Sequence, residues 1–167
     1  MEGQLARETI FLTPKLSLPD QTIGFATQAN FPLMFKSEFD GILGLAYPND
    51  IAQAQNIVPV FDNLMMKGIL KKPMFSIHAH DNGGSLIWGS WDDNLKERQE
   101  DPFVWVPLAE KNYWTFFIVD MYLIKNNNGK KEVLKKDEKM CPKGCKGVID
   151  TGSYFMYGPG TLINVDI

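Results

Sequence analysis

The sequence predicts a mainly β fold with a few short helices. Short runs of β-branched and aromatic residues recur along the chain, and 14 glycines and 10 prolines among 167 residues separate them with turns. Apolar residues make up 44% and charged residues 22%, as in ordinary globular proteins. A chain of this length buries the core of one domain, or of parts of two.

The N-terminal third predicts strands. The segments ETIFLTPKLSL and QTIGFATQA are rich in β-branched and aromatic residues and are punctuated by Pro14, Pro19 and Gly24. Next, FDGILGLAYP (residues 39–48) is a nearly unbroken apolar run with two glycines. Such a run predicts a strand buried on both faces, and its glycines suggest a close approach of the backbone or a tight bend.

One helix is expected in NIVPVFDNLMMKGIL, packed on a sheet. Pro59 suits the first turn of this helix, and Gly68 suits its C-terminal cap. Four apolar residues repeat at helical spacing on one face: Val60, Phe61, Leu64 and Met65.

Two strands follow the helix. The alternation in MFSIHAH predicts an inward set of Phe75, Ile77 and Ala79 and an outward set of Ser76, His78 and His80. The two histidines are therefore expected on a solvated strand face, not as metal ligands or general bases. The second strand is GGSLIWGSW, which the chain enters through two glycines.

The charged stretch DDNLKERQED predicts a surface crossing and a boundary between residues 1–98 and 99–167. Beyond it, two aromatic-rich strands are expected to meet at a turn near Lys111-Asn112. The Asn-Asn-Gly in KNNNGKKEVLKKDEKM then predicts a hairpin. Lysines outnumber acids from Lys125 to Lys146. We interpret this excess as a solvated hairpin, because no aromatic residues interleave with the lysines as they do on polyanion-binding surfaces.

The charge and hydropathy exclude several classes of protein. The net charge of −3 gives no indication of nucleic-acid binding. No apolar run approaches the roughly 20 residues that a membrane span needs. The opening MEGQLARETI lacks the apolar core of a signal peptide, and a signal further upstream stays open.

The only cysteines, Cys141 and Cys145, lie in CPKGC. A zinc site is a poor fit, because structural zinc needs four ligands. Free thiols would suit a cytosolic protein, and a small-loop disulfide would suit an oxidising compartment. The spacing alone leaves both of these open.

The segment VIDTGS places a carboxylate at the end of an apolar run. We expect Val148-Ile149 to bring Asp150 to the edge of a core, where partial desolvation tunes its protonation. Thr151 offers a hydroxyl to a facing loop, Gly152 permits a sharp turn and a close approach, and Ser153 is placed to hydrogen-bond the carboxylate. Taken alone, the tripeptide is more typical of an ordinary Asx-type turn than of a catalytic site.

The wider sequence resembles the pepsin-like aspartic protease family. CKGVIDTGSYFMYGP is similar to the second active-site loop of that family, and FDGILGLAYP with PVFDNLMMKGIL to a strand and helix of its N-terminal lobe. MFSIHAHDNGGSLIWGSWDD is similar to its interlobe strands, and WVPLAEKNYW to the opening of its C-terminal lobe. These motifs occur in the expected order over nearly the whole chain, and the cathepsin D and plasmepsin branch is the most similar.

The resemblance implies part of a bilobal fold. Residues 1–98 would be the C-terminal part of the N-terminal lobe with the interlobe strands, and residues 99–167 the N-terminal part of the C-terminal lobe. The first active-site loop, the flap and the closing C-terminal strands have no counterpart in the sequence, so the chain resembles a central fragment. We expect such a fragment to be inactive alone.

The resemblance also implies an aspartic endopeptidase that acts on peptides or proteins. A water held between two Asp carboxylates, one from each lobe, attacks the peptide bond; one carboxylate is the general base, and the other, protonated, polarises the carbonyl. The two share a proton and titrate as a pair. No metal or cofactor is required. Another chain that supplies the missing half is a candidate partner. A nucleic-acid partner is not expected.

Site residues carry over position by position. Asp150 would be the second catalytic carboxylate, Gly152 and Ser153 would touch the substrate backbone, and Thr151 would donate to the facing loop. Tyr113 would contact the substrate on the primed side, and Tyr154, which replaces a small hydroxyl residue, would reshape the cleft wall. The remaining implied positions are an apolar pocket of Leu33, Phe39 and Ile42, which fit core packing equally well, and a disulfide between Cys141 and Cys145.

Two alternatives stay open beside the endopeptidase. A homodimeric, retroviral-type protease needs only one Asp per chain, but its motif lies early in the chain, not at the end. A catalytically inactive pepsin-like binding protein would have lost one of the two Asp residues. For the endopeptidase we expect a secretory-pathway location, either vacuolar or lysosomal or extracellular.

Overall fold

The computed structural model describes residues 2–28, 39–93, 103–121, 123–127, 130–134, 141, 143–153 and 155–158. Their backbone is mainly β, as predicted. The chain divides into two compact units, Met1–Val104 and Trp105–Ile167. The predicted boundary after residue 98 falls outside the described residues, so the assignment of the two sides to two lobes stays a prediction.

The elements of the first unit are β1 (Glu2–Thr13), β2 (Leu16–Gln28), α1 (Asp50–Ala54), α2 (Val60–Met66), β3 (Phe75–His80) and β4 (Gly83–Trp88). Those of the second unit are β5 (Leu108–Lys111), β6 (Trp114–Ile118), β7 (Leu123–Asn127), β8 (Lys130–Leu134) and β9 (Cys145–Val148). The described strands form three antiparallel hairpins, β1–β2, β3–β4 and β7–β8, and one three-stranded sheet in the order β5–β6–β9.

The β1–β2 hairpin turns at Pro14 and Lys15, inside the first predicted segment. Pro19 therefore lies within β2 and does not separate two strands. A two-stranded sheet tolerates a proline, which has no backbone N–H, because each strand has one unpaired edge where no N–H donor is needed. Leu18 of β2 is fully buried and forms the centre of the first unit's core.

Helix α2 packs against β2, as predicted for this segment. Val60 and Leu64 join Leu18 in the buried core. Pro59 occupies the N-cap position, and Gly68 follows the C-cap residue Lys67 with a φ of 64°. A left-handed residue just past the last turn is the usual end of a helix, and glycine adopts it without strain.

Two buried amides tie α2 to the hairpin. Gln21 and Asn63 are 2% and 8% exposed, and Asn63 Nδ2 donates to Gln21 Oε1 at 2.9 Å. Gln21 Nε2 in turn donates to the carbonyl oxygens of Thr22 and Val58, both at 2.9 Å. Since a buried polar group is costly unless it is paired, these bonds are part of what fixes the helix on β2.

The apolar segment 39–48 corrects a prediction. It forms no strand and joins none of the described sheets, and Ile42 is 90% exposed. A side chain added at Gly41 or Gly44 would meet nothing within 4 Å, so neither glycine marks a close approach. A strand buried on both faces needs neighbouring strands and covering layers, and the described residues do not supply them to this segment.

The inward and outward alternation predicted for β3 is also wrong along most of the strand. Phe75 packs edge-on against Phe61 of α2, with ring centroids 5.0 Å apart. Further along, Ile77 and Ala79 are exposed, whereas His78 is half-buried. The hairpin extends beyond the core, so the local alternation has no apolar layer to face. The strands themselves pair as expected, with His78 opposite Ser85.

The second unit contains the predicted aromatic strands and hairpin. Strands β5 and β6 turn at Asn112 and Tyr113, one residue from the predicted place. The hairpin β7–β8 pairs Asn127 with Lys130, and the two residues between them lie outside the described residues. Most lysine side chains of the predicted basic stretch lie outside the described residues, so its solvated character stays a prediction. No helix in the described part of the chain is long and apolar enough to cross a membrane.

Candidate active site

Strand β9 leads directly into Asp150. It pairs antiparallel with β6 until Thr115 lies opposite Val148. One further backbone bond follows, from Ile149 N–H to the carbonyl oxygen of Trp114 at 3.2 Å. The chain then leaves the sheet, and Asp150 is the first residue beyond this bond. The sheet thus fixes the backbone up to the carboxylate, as the pattern of the sequence predicts.

Two donors from the following turn hold the Asp150 carboxylate. The N–H of Gly152 donates to Oδ1 at 2.9 Å, and the hydroxyl of Ser153 donates to Oδ2 at 2.6 Å. The predicted bond from Ser153 is thereby confirmed. The bond from Gly152 is that of an Asx turn, in which a carboxylate oxygen accepts from the amide two residues on. Both oxygens of the carboxylate are therefore oriented by their own loop.

These bonds lower the pKa of Asp150 below its ordinary value. The hydroxyl of Ser153 is the larger cause and the N–H of Gly152 the second. Both donors favour the charged form of the acid. Desolvation is the smallest of the three influences on the pKa of Asp150. The predicted position at the edge of a core is wrong, because Asp150 is exposed and Val148 and Ile149 are 49% and 60% exposed. The two apolar residues lie at a solvated sheet edge, so they do not bring the acid against a core.

Glycine at position 152 suits the tight turn. A side-chain carbon added there would lie 3.2 Å from Asp150 Oδ1, closer than most such contacts in proteins. The close approach predicted at Gly152 is thus present, and the group that approaches is the carboxylate. Thr151 is exposed, and its bond to a facing loop stays a prediction.

The disulfide between Cys141 and Cys145 is present, with the two Cα atoms 5.6 Å apart. That separation is ordinary for a disulfide. Gly144 closes the small loop with a φ of 73°, and its N–H donates to the carbonyl of Cys141 at 2.9 Å. Cys145 is also the first residue of β9. The bridge therefore tethers the start of the strand that carries Asp150.

The predicted substrate-binding residues fall into three groups. Tyr113 is 52% exposed in the β5–β6 turn, beside Trp114, whose carbonyl accepts from Ile149. Phe39 and Ile42 are exposed in the first unit, so they do not pack in its core. Leu33 and Tyr154 lie outside the described residues. The structure places Tyr113 in a turn next to the strand that precedes Asp150, and all five substrate-binding roles stay predictions.

Two features near the site were not predicted. Lys146 of β9 forms an ion pair with Glu110 of β5, with Nζ and Oε2 3.2 Å apart. The side chain of Asn112 accepts hydrogen bonds from Tyr113 and Thr115. The Glu110–Lys146 partners are far apart in sequence, so only the sheet register would have indicated them. Among the described residues, no cluster of three or more His, Cys, Asp or Glu side chains could hold a metal ion.

Comparison with known proteins adds to this geometry. The family model for eukaryotic aspartyl protease matches residues 1–165. The chain is 34% identical over 165 residues to chymosin from Camelus dromedarius, which covers 98% of the chain and 39% of chymosin. It is 32% identical over 163 residues to plasmepsin VII from Plasmodium falciparum (isolate NF54), covering 91% of the chain and 36% of the relative. The chain thus spans well under half the length of these relatives.

Proposed function

The chain belongs to the eukaryotic aspartyl protease family, and we propose that it supplies one of the two catalytic carboxylates, Asp150, of a pepsin-like aspartic endopeptidase. The observation that carries this proposal is the oriented carboxylate itself. Asp150 ends a paired strand, is open to solvent, and has one donor on each oxygen. A general base must be held within hydrogen-bond reach of the proton that it removes, and this turn fixes the orientation of the carboxylate.

In the proposed reaction a water lies between Asp150 and a second carboxylate. One carboxylate, ionised, removes a proton from the water, and the other, protonated, polarises the scissile carbonyl. The donors from Ser153 and Gly152 favour the ionised form of Asp150 while it stands alone. A second carboxylate close by would couple the two titrations, so that the pair shares one proton. The loop orients the carboxylate of Asp150 and stabilises its negative charge.

The proposed substrate is an extended peptide or a protein. We assign contacts with its backbone to Gly152 and Ser153, and a contact on the primed side to Tyr113. The exposure of Tyr113 beside the Asp150 strand supports this assignment. For the non-primed side we keep the proposed pocket residues, which are Leu33, Phe39 and Ile42. Tyr154, directly after the motif, would line the cleft wall.

The chain by itself is proposed to be inactive. Asp-Thr-Gly occurs once in the sequence, at Asp150, and Asp-Ser-Gly does not occur. A single carboxylate cannot act as both the base and the acid of the proposed reaction. The second one must come from a further part of the same protein or from another chain.

We propose a secretory-pathway location, with a vacuolar, lysosomal or extracellular destination. The disulfide between Cys141 and Cys145 supports it, because such bonds form and persist in oxidising compartments.

An acid-pH assay with casein or haemoglobin as substrate tests the proposed function. We expect the complete gene product to cleave either protein and to lose this activity with pepstatin, and we expect the 167-residue chain alone to be inactive. Absence of cleavage by the complete gene product at any pH would contradict the endopeptidase. Pepstatin-sensitive cleavage by the chain alone would contradict the need for a second carboxylate.

A further inference from the structure

The side chain of Asn112 joins the β5–β6 turn to the strand that follows it. Its Oδ1 accepts from the N–H of Tyr113 at 2.6 Å and from the hydroxyl of Thr115 at 3.0 Å. One exposed side chain thus connects the turn with the start of β6.

The turn needs this support. Its two loop residues, Asn112 and Tyr113, lie between the paired residues Lys111 and Trp114. Two-residue hairpin loops favour turn types in which at least one loop residue has a positive φ. Neither Asn112 nor Tyr113 has one. The side-chain bonds of Asn112 therefore stabilise a loop that the backbone alone would not favour.

A second contact links the two outer strands of the sheet. Glu110 of β5 and Lys146 of β9 form an ion pair with Oε2 and Nζ 3.2 Å apart. Both strands pair with β6, so the ion pair spans the middle strand. The outer strands are therefore linked by side chains as well as by β6.

The linked strand is the one that presents Asp150. Thr115, which is 2% exposed and donates to Asn112, lies opposite Val148 in the β6–β9 register. Ile149, which directly follows β9, donates its N–H to the carbonyl oxygen of Trp114. The chain of contacts from Asn112 therefore ends one residue before the carboxylate.

We propose that Asn112 is a positioning residue of the site, which fixes Tyr113 in the turn and, through Thr115, holds β6 in the register that pairs with β9 and presents Asp150. Its effect on catalysis rests on the proposed function. Its effect on the backbone does not, so the two can be tested separately.

The backbone effect is measured by amide hydrogen exchange on the 167-residue chain. In Asn112→Ala we expect the amides of Tyr113 and Ile149 to exchange about fivefold faster, as for the loss of one net hydrogen bond. Asn112→Asp keeps the Oδ1 acceptor for Tyr113 and Thr115, so it should restore slow exchange at both amides. Lys146→Met breaks only the exposed ion pair between β5 and β9 and should leave the Tyr113 amide unchanged.

The matched control is Asn82→Ala, in the β3–β4 turn of the first unit. It should change the exchange of neither amide. An unchanged Ile149 amide in Asn112→Ala would overturn the proposal. So would an equal acceleration throughout the second unit, because that would indicate a general loss of stability and no specific link to β9.

The catalytic effect is measured on the complete gene product. In Asn112→Ala we expect KM to rise through Tyr113 and kcat to fall through Asp150, each by about fivefold. Asn112→Asp, which keeps the Oδ1 acceptor, should restore both KM and kcat. Unchanged kinetics in an active Asn112→Ala enzyme would overturn the positioning role. An inactive wild-type enzyme that shows the exchange changes would instead refute the proposed function and leave the link to β9 in place.

Discussion

The hydroxyl of Ser153 donates a hydrogen bond of 2.6 Å to Oδ2 of Asp150. The acceptor residue ends a paired strand, and the donor lies in the turn that follows it. The carboxylate is therefore held by the same loop that removes it from the sheet. Of the two hydrogen bonds that lower the pKa of Asp150, this one has the larger effect.

Replacing Ser153 by alanine is predicted to raise the pKa of Asp150 toward its ordinary value, because the donor that favours the charged form is lost. Carboxyl-carbon NMR titration of the 167-residue chain measures it. Ser153→Thr keeps a hydroxyl and should keep the pKa low. An unshifted pKa in Ser153→Ala would show that the hydroxyl does not stabilise the charge.

The same shift has a consequence for stability. The pKa of Asp150 is lower in the folded chain than in the unfolded chain, so its contribution to stability is present above the unfolded pKa and is lost as the pH falls through the folded pKa. Urea unfolding across the acid range should therefore show a weaker loss of stability on acidification in Ser153→Ala than in the wild type.

Gly152→Ala is predicted to disturb the Asx turn. The added carbon would lie 3.2 Å from Asp150 Oδ1, so the N–H bond to that oxygen should lengthen and the pKa of Asp150 should rise. The matched control is Gly44→Ala, where an added carbon meets nothing within 4 Å. The same NMR titration compares the two variants. Equal pKa values in both would show that glycine is not required at the turn.

Asn63→Ala is predicted to cost about 1–3 kcal/mol of unfolding free energy, because it leaves Gln21 Oε1 buried without its donor. Urea denaturation of the chain measures this cost. The control Asn82→Ala, in an exposed turn, should stay within about 0.5 kcal/mol of the wild type. A cost for Asn63→Ala no larger than that of the control would mean that the buried amide pair contributes little.

Reduction of the Cys141–Cys145 disulfide is predicted to lower the unfolding free energy by about 2 kcal/mol, which the chain-entropy model gives for so short a loop. Urea unfolding with and without reductant measures the loss. The double variant Cys141→Ser with Cys145→Ser should resemble the reduced chain and should not respond to reductant. A wild-type midpoint that reductant does not move would contradict a stabilising bridge.

Local patterns predicted most of the elements. The helix at Val60–Met66 and the turn at Asp150 follow from periodicity, capping residues and turn residues that lie within a few positions of one another. Burial was predicted less well. Ile42 and Ile77 are as apolar as Leu64, but their exposure depends on which segments cover them, and neighbouring residues do not encode that.

Sequence patterns could not predict which side chains contact one another across the sheet. Glu110 and Lys146 meet because β5 and β9 flank β6, and the bulge between Leu108 and Glu110 alters which side chains face one another. A one-residue shift in such a register moves a side chain to the other face. The hydrogen bonds of Asn112 with Tyr113 and Thr115, and so its positioning role, likewise emerged only from the structure.

The activity of Asp150→Asn in the complete gene product tests the proposed function most directly. The matched control is Asp120→Asn in the same unit, which keeps the oxygen that accepts from the N–H of Met121. We expect the Asp150 variant to lose cleavage of a protein substrate at acid pH by a factor of at least about 10³, on the scale of losing an essential acid–base group, and the Asp120 variant to keep it. Full activity in Asp150→Asn would contradict the assignment of Asp150 as a catalytic carboxylate.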